Sequence, residues 1–308
     1  MRASNIIVAA LVALAVPGAA YAAPTAVAPT AEQQAMVARM DALLNSLHPV
    51  YGKIEVPSAR AVLDLGNDYY FLPAVEAKRV LTEGWGNPPD AVTDVLGIVF
   101  PKGKTFVDDT WGAVVTFKDL GYVDDDAEST DYDQILADSR SGEEELNESR
   151  KAAGFAAQHL VGWAQPPSYD KPSHSLIWAR QIHFGDQPVD VLNYDVRLLG
   201  RSGVLSLNMI ASMPQLAEIR EAARQLAAKA AFDPGARYAD FNPSTDKSAD
   251  YGIAGLVAAG VGVAAAKKLG MLGLILAFGK KFIVLVLALG AGVAGWIRKR
   301  FSRAREEI

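Results

Sequence analysis

Between residues 175 and 210, apolar side chains fall on every second position in three successive runs, and no other pattern in the chain restricts its fold as strongly. Leu176, Trp178, Ile182 and Phe184 alternate along the first run, interrupted by Arg180. Leu192, Tyr194, Val196 and Leu198 alternate along the second, and Leu205, Leu207 and Met209 along the third. A period of two places such positions on one side of a pleated strand. Gly185-Asp186 and Gly200-Arg201-Ser202-Gly203 supply the turns, so the runs predict an antiparallel meander with one buried face. Residues 159–164 add a strand before them, which Pro166-Pro167 is expected to end.

Helical spacing brackets these strands. Met36, Met40, Leu43, Leu44 and Leu47 predict an amphipathic helix over 32–47. Residues 54–58 and 59–65 lean towards strand, and Gly66-Asn67-Asp68 turns the chain into Tyr69-Tyr70-Phe71-Leu72. A helix over 73–83 has Pro73 in its first turn and Gly84 at its end. Strands follow at 92–100 and 112–117, then a polar, acidic helix over 132–153 with a break at Ser141-Gly142. Ser212 with Gln215 offers a capping box for a helix running to residue 230. The expected class is α+β: an antiparallel sheet (meander) covered by helices, plus a C-terminal transmembrane helix. No Pro/Ser/Gly-rich linker divides residues 32–250, which are read as one domain. The chain contains no cysteine, so core burial alone must hold that body, and thiolate chemistry is excluded.

The two ends predict location. Met1-Arg2, an apolar stretch over 6–16 and Ala20-Tyr21-Ala22 read as a signal peptide over 1–22. Residues 23–31, rich in Ala, Pro and Thr, are expected to be a disordered leader. After the body, 251–281 is an apolar Gly/Ala-rich segment, read as an interfacial or bundle helix. Residues 282–297 form sixteen positions free of charge. A span needs about 20 apolar residues, which this stretch reaches if Lys281 and Arg298 snorkel towards the headgroups. Residues 298–308 carry five basic side chains and read as a cytoplasmic tail. The expectation is a single crossing of a bacterial inner membrane with the main domain in the periplasm. A hairpin with Lys267-Lys268 and Lys280-Lys281 inside is the rival arrangement.

Charge excludes one class of partner. Ten of the 30 basic residues lie at the two ends with only two of the 35 acids, which leaves a body of net charge −13. Such a surface repels phosphate backbones, so nucleic acid is not expected. The expected partners are the lipid bilayer, an envelope protein, and a second copy through the small-residue membrane segment.

Motifs for chemistry are weak. Asp124-Asp125-Asp126 and Asp131-Tyr132-Asp133 lack the spacing and glycine of a calcium loop and read as acidic loop. The histidines 48, 159, 174 and 183 form no ligand spacing, GxSxG is absent, and Gly200-Arg201-Ser202-Gly203 reads as a hairpin turn rather than a phosphate loop. No metal or cofactor is expected. Trp163, Tyr169, Asp170, Trp178, Asn193, Tyr194 and Arg201 form a candidate binding set, because Trp and Tyr beside Arg are what interfaces favour. The bland reading is that the aromatics fill the core and Asn193 and Arg201 serve turns. A non-enzymatic binding module is the leading expectation; an envelope hydrolase using Asp170 and His174 as acid–base groups is the alternative.

A string of signatures recurs in order: Tyr70-Phe71-Leu72, Gly84-Trp85-Gly86-Asn87-Pro88-Pro89, Leu96-Gly97-Ile98 with Pro101, Trp111, and Gly121-Tyr122-Val123-Asp124-Asp125-Asp126-Ala127. Leu160-Val161-Gly162-Trp163-Ala164, Pro167-Ser168-Tyr169-Asp170, Leu192-Asn193-Tyr194, Leu199-Gly200-Arg201-Ser202-Gly203-Val204-Leu205 and Asp246-Lys247 continue it. Over about residues 50–290 the chain resembles the bacterial membrane-anchored proteins grouped as domain of unknown function 2167. The resemblance implies an exported, membrane-anchored protein and carries no activity. Lys171-Pro172-Ser173-His174-Ser175 matches no pattern of that family, so it implies no role for His174.

Overall fold

A computed structural model of the chain describes residues 30–125, 130–152, 154–185 and 187–260. The signal peptide, most of the leader, the end of the acidic run from Asp126, residues 261–281, the transmembrane stretch 282–297 and the tail 298–308 lie outside them. Among the described residues no helix is long and apolar enough to cross a membrane.

The fold is α+β, with antiparallel sheets and helices. Helix α1 (Ala31–Asn45) opens on a reciprocal cap: Gln33 N–H donates to Thr30 Oγ1 at 3.2 Å, and Thr30 N–H to Gln33 Oε1 at 2.8 Å. Strands β1 (Lys53–Val56) and β2 (Ala61–Asp64) pair, and β3 (Tyr69–Pro73) starts the main sheet. Helix α2 (Ala74–Arg79) runs into a π-helical turn, Val80–Gly84, so the segment predicted as one helix changes its winding midway. Strands β4 (Val95–Pro101) and β5 (Gly112–Lys118) follow. Helices α3 (Tyr132–Ser141) and α4 (Glu143–Ala152) divide at Gly142, and Asp131 caps the first through Gln134 N–H at 2.9 Å.

Strands β6 (Gln158–Asp170), β7 (Ser175–Phe184), β8 (Val191–Leu199) and β9 (Val204–Ser212) form the expected meander. It is part of a seven-stranded sheet ordered β3-β4-β5-β9-β8-β7-β6. Strand β6 does not end at Pro166-Pro167. It continues to Asp170 through three register shifts, which an edge strand allows because its outer N–H groups have no ladder partner to lose. The Ser212–Gln215 box starts a turn that leads into α5 (Leu216–Lys229). Strand β10 (Ala230–Phe232), not expected from the sequence, joins β2 to complete a three-stranded sheet. Helix α6 (Ile253–Gly260) closes the described chain.

The main correction concerns the faces of the meander. It was expected to bury one; it buries both. Leu192, Tyr194, Val196 and Leu198 of β8, with Leu205, Leu207 and Met209 of β9, pack into one large cluster. That cluster lies under α5 and the three-stranded sheet, through Ile219, Ala222, Ala223 and Leu226 and through Ile54, Val56, Ala61 and Leu63. The apolar row of β7 points the other way. Register sets Trp178 opposite Asp195 and Arg180 opposite Asn193, so those four share the second face. There, Ile182 and Phe184 join a cluster with α1 and α2, whereas Leu176 and Trp178 join another with α6. Arg180 does not interrupt a polar side; it is buried between these clusters, 2 % exposed. The apolar segment from 251 thus begins within the body, with Ile253, Leu256 and Val257 buried beside Trp178.

Candidate functional site

Three loops meet at the end of the large sheet where β6 turns into β7 and β8 into β9. The first, residues 119–125, leaves β5 and is fixed by its backbone: Gly121 N–H donates to Ser202 O at 2.9 Å and Tyr122 N–H to Lys247 O at 2.8 Å. Ala249 N–H returns a bond to Tyr122 O at 2.8 Å. Gly121 has φ +90°, and a Cβ there would come within 2.6 Å of Lys247 O, so glycine is required. The second loop is the β6–β7 turn, where Asp170 Oδ2 accepts from Ser173 N–H at 3.1 Å and from the Ser173 hydroxyl. The third is the segment after β10, tied to the β8–β9 turn by Arg201. Its guanidinium grips Asp246 through Nε–Oδ2 at 2.7 Å and Nη2–Oδ1 at 2.8 Å, and donates to Gly235 O at 3.2 Å. That grip, with Asn242 N–H at 2.7 Å, holds the Asp246 carboxyl well below the usual carboxylate range.

These loops assemble a column of four rings. Phe241 lies on Tyr122 at 3.9 Å between centroids, Tyr122 on Tyr238 at 4.4 Å, and His174 on Tyr238 at 4.2 Å. Tyr238 is buried and donates to Val123 O at 2.9 Å; the other three rings are half-buried. His174 reaches its place with φ +48°, in the left-handed region. Its Nδ1 lies 3.1 Å from the Tyr169 hydroxyl, which lies 3.3 Å from Asp125 Oδ2. Burial, then the Asp125 carboxylate, push the Tyr169 phenol up; burial does the same to Tyr238. Both phenols therefore stay protonated near neutrality. A neutral Tyr169 can donate one hydrogen bond to Asp125 while accepting one from His174, which suits polar recognition rather than attack by a phenolate.

The seven candidate residues from the sequence are distributed between this end and the interior. Tyr169 is in the site, and Asp170 and Arg201 shape its loops. Trp163, partly buried, donates its indole N–H to Tyr132 O at 3.3 Å behind it. Trp178 is fully buried beneath α6, and Asn193 accepts from Arg180 Nη2 at 2.8 Å in the interior. Tyr194 belongs to the opposite face and donates to Gln165 Oε1 at 3.0 Å. Asp170 and His174 turn to different partners, Ser173 and Tyr169. Sequence reasoning missed Tyr122, Asp125, Tyr238 and Phe241 as a group. Tyr122 and Asp125 stand in the recurring run from Gly121, but 238 and 241 sit in a stretch with no periodicity to mark them. Among the described residues no three His, Asp or Glu side chains gather as a metal site would require.

The model of the family described as "Protein of unknown function (DUF2167)" matches residues 48–291, and the chain belongs to that family. No functionally curated protein matches it. Among solved structures, the chain is similar to the solution structure of cyanobacterial PsbP (CyanoP) from Synechocystis sp. PCC 6803, at 7 % identity and a TM-score of 0.35. That likeness covers 61 % of this chain and 93 % of the other.

Proposed function

We propose that the chain is an exported, non-enzymatic binding module of the bacterial envelope, tethered to the inner membrane by residues 282–297. Its acidic main domain faces the periplasm and engages an envelope protein through the ring column at the end of the large sheet. The observation that carries this reading is the column itself: Phe241, Tyr122 and His174 stay half-buried at a surface fixed on three loops. Aromatic surface held rigid loses little entropy on binding, which is why preorganised Tyr-rich patches make good anchors. Acid–base chemistry has less support, because Asp170 Oδ2 and His174 Nδ1 bond to different neighbours, Ser173 and Tyr169.

The test is photo-crosslinking of the full chain in native membranes, with the reactive group placed at Phe241 or, as a control, at Val189, exposed at the other end of β8. A discrete adduct from position 241 alone, lost on Tyr122→Ala with the domain still folded, is the expected result. Identical adducts from both positions, or none from 241, overturn the reading.

A further inference from the structure

The second face of the sheet contains a charged cluster that the ring column does not use. Across β7, β8 and β9 the register aligns Trp178 with Asp195 and Asn208, Arg180 with Asn193, and Arg197 with Ser206. Arg180, Asn193, Asp195 and Ser206 are each at most 2 % exposed. Some bonds are made: Arg197 Nη2 donates to Asp195 Oδ1 at 2.9 Å, and Asn193 and Asn208 exchange amide bonds at 3.0 and 3.3 Å. Asp195 Oδ2 stands 3.7 Å from Arg180 Nη2, near enough for attraction but too far for a hydrogen bond.

Two shortfalls remain. Charge is the first: among the described residues Asp195 is the only acid paired with either guanidinium, so the cluster holds two cations against one anion. Hydrogen bonding is the second. Arg180 Nε, Arg197 Nε, Trp178 Nε1, Ser206 Oγ and Asp195 Oδ2 are buried without a hydrogen-bond partner among the described residues. Four of those five atoms can donate. Native interiors rarely leave such groups unmet, because each costs the full desolvation of the group. Water would satisfy the hydrogen bonds, but not the surplus positive charge in a low-dielectric interior.

We propose that this cluster is an internal site for one small oxyanion, a carboxylate or phosphate group, bound among the guanidiniums of Arg180 and Arg197. The indole N–H of Trp178 and the Ser206 hydroxyl are its further donors. Asp195 does not exclude the anion; it offsets one guanidinium and leaves a net charge of one to be met. Arg197, whose side chain is 17 % exposed, marks the way in. Its guanidinium lies 5.1 Å above the Trp178 ring, and α6 packs against both at Gly260. A Cβ on Gly260 would come within 2.5 Å of Trp178 and 3.5 Å of Arg197 Nη2, so the helix approaches as closely as its backbone allows. The interior site is therefore covered by the last described residues before the apolar stretch that we read as the route to the membrane.

The experiment is thermal unfolding of the full chain, purified in detergent, titrated with inorganic phosphate, acetate or chloride at constant ionic strength. The expected result is a saturable rise in Tm with phosphate or acetate, at a half-saturation about tenfold below that of chloride, the scale of one added charge-assisted bond. Which of the two is tighter separates a phosphate from a carboxylate ligand. Asp195→Asn, which keeps the shape and adds to the surplus charge, should tighten binding about fivefold or more. Arg197→Met, at the exposed side and so compatible with folding, should weaken it about tenfold. A Tm that responds equally to all three salts without saturating, or a half-saturation unmoved by both folded variants, overturns the proposal.

Discussion

The two faces of the large sheet solve the same problem with different materials. One is apolar from strand to strand, with Leu192, Tyr194, Val196, Leu198, Leu205, Leu207 and Met209 under α5 and the small sheet. The other breaks its apolar surface into two clusters and sets Arg180, Asn193, Asp195, Ser206 and Asn208 between them. The first face asks only that water be excluded, which many side-chain sets can achieve. Polar partners on the second must meet at hydrogen-bond distance, so an error of one register position is costly there. Helix α3 bridges the divided face by sending Leu136 to one cluster and Ile135 to the other. Burial alone therefore gives stability on one side, and on the other it is combined with a demand for pairing that the chain's own described residues leave incomplete.

Substitutions that break the contrast should differ in how they can be repaired. Asp195→Leu strands the buried Arg180 and the half-buried Arg197 and should cost about 3–5 kcal/mol in urea denaturation. Replacing Arg180 and Arg197 by Met in the same chain should recover most of that loss, since an apolar set needs no partner. Failure of the triple variant to recover would mean that the polar band is needed for stability itself. Leu207→Ala on the apolar face should cost about 2–5 kcal/mol, and no substitution of charge can repair it, because the loss is volume and transfer energy. If Leu207→Ala were neutral, the first face would not be the continuous core described.

The smallest effect comes from the half-buried counterpart of the buried pairs, Arg201 with Asp246. Asp246 is held by Arg201 below its ordinary range, so its contribution is complete above the unfolded value, about 3.9, and is lost as the pH falls below that. The urea midpoint should therefore drop as the pH is lowered from about 4 towards 2, below the unfolded value, and Asp246→Asn should flatten that part of the profile. An unchanged slope in Asp246→Asn would show that the Arg201 grip on the third loop contributes nothing measurable, as many surface pairs do.

The strands of the meander, the helix break at Gly142 and the Ser212–Gln215 cap were legible because each rests on neighbours within a few residues. Local signals also placed Gly84 near the end of its helix, but nothing in 73–83 announces the change to π winding. The ring column was not legible: Tyr122 and Tyr238 are 116 positions apart, and their loops are brought together by the Arg201–Asp246 grip, the bonds of Gly121 and Tyr122 and the Tyr238 hydroxyl on Val123 O. For the same reason the seven residues grouped by composition separate into site, loop supports, interior band and opposite face.

By itself the sequence determined that residues 175–210 form three alternating strands, that the class is α+β, and that the chain belongs with its family by an ordered run of motifs. Those are properties of period and order, and both survive in one dimension. Which way each alternating row points is a relation between strands. Trp178 and Tyr194 look equivalent in the chain and lie on opposite faces, because register pairs Trp178 with Asp195. Only the tertiary structure decided that Arg180 is interior, that two cations share one acid there, and that His174 stacks on a ring 64 residues away. Charge and hydrogen-bond balance are sums over neighbours in space, and the chain does not list its neighbours until it folds.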